Sequence, residues 1–353
     1  MKKNGRHIQG AAHYRNGAGT ARQEYRTLWG INLVWAIRRI PLPIWPGHHM
    51  SLPMGLELSL KESLATTLQG PYRSRSALAR RIVDHMAAEL PTRSMRVATD
   101  GGSATQTFLR DLPTHIDVVG RFLLPAQLSQ PPPPRLKGQR GAPRKKGDVI
   151  GSPKTLATPA SAWHPPPQEA GTRRQSWVGL WQSVWPGRRL RVVVVWRPHR
   201  AGRTQPNGKK TFGRLKPLEA FFSTDVSLSP HALLETYADR WAMEIAIRDS
   251  HAYDGGAQDP CRKFEHLVGA NTLRLLMAAA RTLWFIVTSE QHADVALQRF
   301  RPWSRHKAAP SQFDVAWACR EALQEAGLFP IPRVFTAVAA NQQEIDKSEP
   351  IAA

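Results

Sequence analysis

Cysteine is nearly absent from this chain: two occur in 353 residues, Cys261 and Cys319, far apart in sequence. That excludes a disulfide framework and any zinc site built on paired cysteines, and it reads as an intracellular, cytoplasmic protein. Long apolar runs are missing too. The most apolar stretch, "TLRLLMAAARTLWFIV" at 272–287, is interrupted by Arg274 and Arg281 and is too short to span a bilayer, so a buried helix is expected. No apolar segment follows the basic start "MKKNGRHIQG", which argues against a signal peptide. Aspartate is the third scarcity, with none before Asp84. Acidic residues as a whole are outnumbered, 27 Asp+Glu against 49 Lys+Arg, for a net charge of +22. An excess of that size points to a polyanionic partner, of which nucleic acid is the commonest.

What is present describes a globular protein rich in loops, with 41% hydrophobic residues beside 29 prolines and 25 glycines. "GINLVWAIRRIPLPIW" (30–45) reads as a strand, and "HHMSLPMGLELSL" (48–60) as its hairpin partner. "SRSALARRIVDHMAAEL" (74–90) places Leu78, Ile82, Met86 and Leu90 at helical spacing. "SMRVATDGG" (94–102) is a short strand ending on Asp100 and two glycines. A carboxylate there suits the chemistry that open α/β sheets carry at strand ends, or it caps a helix starting near Ser103; the local sequence leaves both open.

The segment 122–175 is proline-rich, basic and without period, so an extended insertion is expected. Within it Arg135, Lys137, Arg140, Arg144, Lys145 and Lys146 form a cationic strip suited to backbone phosphates. "RLRVVVVWRPHR" (189–200) and "LEAFFSTDVSLS" (218–229) are strands, joined by a second basic loop. Ser229 and Pro230 start a helix expected to run to about Ser250, and further helices are expected over 265–289 and 311–326.

The helix from Pro230 carries "YADRWAMEIAIRDSH" (237–251). Tyr237, Arg240 and Glu244 are three and four residues apart and share one face. Leu233, Leu234, Trp241, Ile245 and Ile247 supply apolar positions that would press the helix onto a sheet. Spacing alone favours an ion pair between Arg240 and Glu244, with Tyr237 as packing.

The same stretch resembles the signature of the DDE transposases of bacterial insertion sequences: tyrosine, two residues, arginine, three residues, glutamate, then six residues to a lysine. Here the last position is His251. "ATDGGSATQTFLRDLP" resembles the segment with that family's second aspartate, "GQRGAPRKKG" its insertion, and "FFSTDVSLSPHALLETYADRW" the strand and linker entering the glutamate helix. "RPWSRHKAAPSQFDVAW" resembles the tail. The resemblance covers nearly the whole chain.

It implies an α/β, ribonuclease-H-like fold, a mixed sheet flanked by helices with a basic insertion between the second and third catalytic acids. The parts would be 1–121 and 218–290 for the core, 122–217 for the insertion and 291–353 for a helical tail. Asp100 and Glu244 would be metal ligands for Mg²⁺ or Mn²⁺ in a two-metal site. Tyr237, Arg240 and His251 would contact DNA, with Arg140, Arg144, Lys145 and Lys146 in the insertion. Double-stranded DNA, as transposon ends and target, is the implied partner, with a homodimer pairing two ends at the nucleoid. The family's first aspartate ends a core strand ahead of a glycine-rich segment like "GRHIQGAAHYRNGAGT". Its absence here implies either a truncated, decayed copy with an incomplete two-metal site, or a misassigned start codon. The alternatives are a non-catalytic DNA-binding remnant and a nuclease-like fold acting on other substrates.

Overall fold

The computed structural model describes residues 7–15, 27–138, 140–157, 173–196, 203–204, 210–211, 218–254, 261–288, 290 and 307–328. The described elements are, in order, strands β1 (Ala12–Arg15), β2 (Thr27–Gly30), β3 (Asn32–Pro41) and β4 (His49–Ser59), helices α1 (Glu62–Thr67) and α2 (Arg75–Glu89), β5 (Met95–Ala98), α3 (Gln106–Leu109) and β6 (Ile116–Phe122). Next come β7 (Leu128–Ser129), β8 (Val149–Gly151), α4 (Pro153–Leu156), β9 (Arg173–Leu180), β10 (Arg189–Trp196), β11 (Arg203–Thr204), β12 (Lys210–Thr211) and β13 (Leu218–Ser223). Helices α5 (Pro230–Asp239), α6 (Trp241–Tyr253), α7 (Phe264–Val287) and α8 (Gln312–Glu325) complete the order. None of the described helices is long and apolar enough to cross a membrane.

The chain divides into two compact units. The first comprises Met1–Ala36, Gly55–Glu244 and Arg262–Glu265. Its centre is a mixed seven-stranded sheet, order β5-β6-β13-β10-β9-β7-β8, in which β5 and β6 run parallel and the other pairs antiparallel. β10 explains why this sheet forms. Val192, Val193, Val194 and Val195 are almost wholly buried in succession, as expected for a central strand covered on both faces and built of β-branched residues. One face joins Val192, Val194, Phe222 and Phe122 to Val83 and Ala87 of α2 and Phe108 and Leu109 of α3, with Trp181 and Trp185. The other joins Val119, Val193, Val195 and Phe221 to Leu228 and Leu233, with Tyr237 packed beside them. Helix α5 thus lies on β5, β6 and β13.

Strands β3 and β4 pair as a separate two-stranded sheet, as their sequence suggests. The 122–157 part of the expected insertion holds only β7, β8 and α4 as regular structure, while β9 and β10 belong to the main sheet. Residues 158–172, 197–202 and 301–306, on which parts of the insertion, β-run and tail readings fall, lie outside the described residues.

Helix α2 begins where Ser74 accepts a hydrogen bond from the Ala77 amide at 3.2 Å. Its buried stripe is Leu78, Ile82, Val83 and Ala87, with Met86 and Leu90 only half-buried, which corrects the expected stripe. The reason is helical pitch. Each step of four residues precesses about 40° around a 3.6-residue turn, so three such steps leave the buried face.

The second unit comprises Ile37–Met54, Ile245–Cys261 and His266–Ala353. Its core gathers Leu42, Met50, Phe285, Val315 and Ala318, with Trp45 stacked on Phe285 at 6.1 Å between ring centroids. Helices α7 and α8 appear close to the expected ranges 265–289 and 311–326. Asp314 of α8 accepts from the Ser311 amide and hydroxyl at 2.7 and 2.8 Å and pairs with Lys307. Arg281 of α7 pairs with Asp254 at 2.8 Å, both largely buried.

Candidate functional site

Strand β5 is an edge strand, and its last pairing bond runs from the Thr99 amide to the Val119 carbonyl at 2.8 Å. Beyond that bond the chain turns. Asp100 Oδ1 accepts from the Gly102 amide at 3.0 Å, and the Ser76 hydroxyl of α2 donates to the Gly102 carbonyl at 3.1 Å, tying the turn to the helix. Asp100 is exposed at this end of the sheet. It caps no helix, because α3 begins later and is capped by the Thr105 hydroxyl. Of the two readings the local sequence leaves open, the strand-end carboxylate is the one the structure presents.

Arg121 lies beside this turn. A Cβ at Gly101 would stand 3.8 Å from both Cβ and Cδ of Arg121, and the Arg121 guanidinium pairs with Glu219 of β13. Sequence reading passed over this pair. Its signal was the alternation in "IDVVGRF", which puts Asp117, Val119 and Arg121 on the face that α5 covers. A second polar cluster sits at the opposite end of β5 and β6. There Thr224 donates to Asp117 at 3.2 Å, Arg96 pairs with Asp225 at 3.1 Å, and Asp225 accepts from the Ser227 amide and hydroxyl at 2.8 and 2.6 Å. The Ser227 hydroxyl, followed by other hydrogen bonds and Arg96, holds the Asp225 carboxyl below the usual range despite some desolvation. These contacts shape the entry into α5.

On the helix side, Ser229 caps α5 by accepting from the Ala232 amide at 3.2 Å, with Pro230 in the first turn. The Tyr237 ring packs on Phe221 at 4.6 Å, and the Arg240 guanidinium carbon lies 5.6 Å from the Tyr237 ring centroid. Arg240 Nη2 donates to Glu244 Oε1 at 3.1 Å, while Arg240 Nε is buried without a hydrogen-bond partner. Tyr237, Arg240 and Glu244 are therefore contiguous, and the ion pair that spacing favours is present.

The expected unbroken helix is not. The chain closes i to i+3 around Arg240, with the Arg240 amide on the Tyr237 carbonyl at 3.1 Å and the Met243 amide on the Arg240 carbonyl at 3.0 Å, dividing α5 from α6. Leu233 presses on the sheet as predicted, but Trp241 is 58% and Ile245 38% exposed. Glu244 stands in the first turn of α6 and His251 in the last, placements that the helix dipole favours for an anion and for a protonated imidazole.

The cationic strip lies elsewhere. Arg140, Arg144, Lys145 and Lys146 are exposed on the loop between β7 and β8, and Arg135 donates to the Gly141 carbonyl at 3.0 Å. Six strand spacings separate β8 from β5, roughly 29 Å. The structure therefore does not bring the strip to the Asp100 turn.

Carboxylate oxygens such as those of Asp100 and Glu244 suit a hard divalent ion. Among the described residues, no three His, Cys, Asp or Glu side chains are grouped to hold one. The donor chemistry of Asp100 and Glu244 fits such an ion. Comparison with protein-family models finds no match for this chain, and comparison with curated proteins finds none either.

Proposed function

We propose that this chain is a DDE-type transposase of the insertion-sequence kind, with a ribonuclease-H-like core, acting on double-stranded DNA. The observation that carries the reading is the packing of α5 on β5, the strand that leads into the Asp100 turn, because α5 holds Tyr237 and leads directly into Arg240 and Glu244. A strand-end carboxylate and a helix carboxylate served by one packed helix are what metal-dependent strand cleavage asks of a fold. The net charge of +22 supplies the long-range attraction to DNA.

In this reading Asp100 and Glu244 would hold Mg²⁺ or Mn²⁺ in part, with water and phosphate oxygens filling the remaining positions. When bound, such an ion supplies an activated oxygen nucleophile and charge stabilisation at the scissile phosphate. The chain's own residues do the rest. Arg240 exchanges its Glu244 partner for a phosphate, Tyr237 holds the Arg240 stem against the sheet, and His251 is a further contact to DNA. Pairing of two transposon ends calls for a homodimer at work in the cytoplasm, at the nucleoid.

A second reading is a DNA-binding protein without cleavage. It is favoured by the incomplete grouping of carboxylates among the described residues and by the exposed strip at 140–146. Incubation of purified protein with a labelled duplex and Mg²⁺ decides between them. Strand nicking that Asp100→Asn abolishes supports the transposase; salt-sensitive binding without nicking supports the second reading; neither binding nor nicking overturns both.

A further inference from the structure

The Arg121–Glu219 pair has no part in the reading so far, yet it lies against the Asp100 turn. β5 and β6 run parallel, so their C-terminal ends open at the same end of the sheet. The Arg121 stem runs beside Gly101, where a Cβ would stand 3.8 Å from its Cβ and Cδ, an ordinary contact. The guanidinium is held at its head by Glu219, with its stem alongside the turn. Glu219 is the more buried partner, 18% exposed against 36% for Arg121, which leaves the cation as the solvent-facing member. A planar, permanently charged donor group held in this way beside a strand-end carboxylate is preorganised for a phosphate oxygen, since little freedom is lost on binding.

We infer that Arg121 binds a backbone phosphate of the DNA strand entering the candidate site on its Asp100 side, and that Glu219 is the positioning residue that aims it. This rests on the DNA-directed reading above and adds a contact on the sheet side of the site, opposite in origin to Arg240 on the helix side. Phosphate is the chemistry recognised, so the contact is independent of base sequence.

The test is fluorescence anisotropy of a short labelled duplex of mixed sequence with the full chain, over about 50 to 200 mM salt. Arg121→Gln is expected to weaken binding roughly three- to tenfold and to lower the slope of log affinity against log salt by about 0.9, the signature of one lost phosphate contact. Arg93→Ala is the control, since Arg93 is an exposed arginine at the other end of β5; its slope should match wild type. Glu219→Ala removes a negative charge and would strengthen binding if charge alone mattered. Positioning predicts the opposite sign, about threefold weaker binding, with recovery in Glu219→Gln, which keeps the acceptor oxygen.

Arg121→Gln with Glu219→Gln retains a neutral hydrogen-bonded pair, and thermal melting of this double variant guards against misfolding. It should show the same reduced slope. A wild-type slope in Arg121→Gln, or tighter binding in Glu219→Ala, overturns the inference while leaving the transposase reading intact. Absence of any salt-dependent binding by the wild-type chain overturns both.

Discussion

Glutamine at position 244 separates the two roles open to Glu244. As an ion-pair partner, Glu244 lies 3.1 Å from Arg240 with 45% of its side chain exposed, and so open a pair at i, i+4 spacing contributes about 0.3–0.5 kcal/mol. Its place in the first turn of α6 adds about 0.3–1 kcal/mol at low salt. Together these come to about 1 kcal/mol, a fall of about 2–4 °C in the thermal midpoint for a domain of ordinary size. A metal ligand weighs far more on turnover. Several kcal/mol of transition-state stabilisation pass through the ion, and each 1.36 kcal/mol is about tenfold in rate. Single-turnover nicking of a labelled duplex, with calorimetric melting of the same samples, reads both quantities. The expected result is a loss of at least about a hundredfold in nicking rate with the midpoint within about 4 °C of wild type. Undiminished nicking by Glu244→Gln would leave Glu244 with the ion pair alone, and a midpoint lower by more than about 8 °C would make its role structural. Either would refute the assignment.

Gly120→Ala should cost about 1–3 kcal/mol in urea unfolding, because its Cβ would stand 2.7 Å from Phe222 Cε1 and 2.9 Å from Thr99 Oγ1; Gly101→Ala, with its nearest contact at 3.8 Å, should be near neutral. In the second unit, burial holds the Asp254 carboxyl above the usual range even with Arg281 at 2.8 Å, so the stability linked to this shift is present in acid and lost as pH rises through the folded value. Arg281→Met strands a buried carboxylate and should cost about 3–5 kcal/mol at neutral pH, a deficit that shrinks as pH falls and Asp254 protonates; Asp254→Asn should cost less at neutral pH, and a pH-independent deficit for Arg281→Met would contradict the cause given. Duplex length tests the separation between strip and turn: affinity should step upward once a duplex exceeds about nine base pairs, the roughly 29 Å between sheet edges divided by a rise of about 3.4 Å. Replacing Arg144, Lys145 and Lys146 with glutamine should remove that step.

Much of the fold was legible because local and global preferences agree. The four consecutive valines of β10, the serine and proline opening α5, and the periodic faces of α2, α7 and α8 all specify their elements without help from distant residues. Sheet order was not legible. Pairing of β13 with β6 joins segments about a hundred residues apart, and alternation within a strand does not say which neighbour it takes. For the same reason the Arg121–Glu219 pair was invisible, since its partners are 98 positions apart. The cationic strip was legible as charge and as loop. Its distance from Asp100 depended on the sheet order and so was not.

The instructive disagreement is at Arg240. A helix continuing without interruption from Ser229 would set Trp241 about 80° and Ile245 about 120° around the axis from Leu233, on either side of the line of Leu234. Instead the chain tightens at Arg240, and Trp241 is 58% and Ile245 38% exposed. Burying a side chain the size of Trp241 would contribute about 1.5–3 kcal/mol, most of which its exposure forgoes. Conflicts between local pattern and adopted structure concentrate where function sets the geometry. Here the conflict falls between Tyr237, held on the sheet by Phe221, and Glu244, opening the next helix with 45% of its side chain exposed. Arg240 links the two, through its contact with the Tyr237 ring on one side and the Glu244 carboxylate on the other. In the proposed reading, the tightening at Arg240 serves to set an arginine and an exposed carboxylate side by side, so that a ligand meets both.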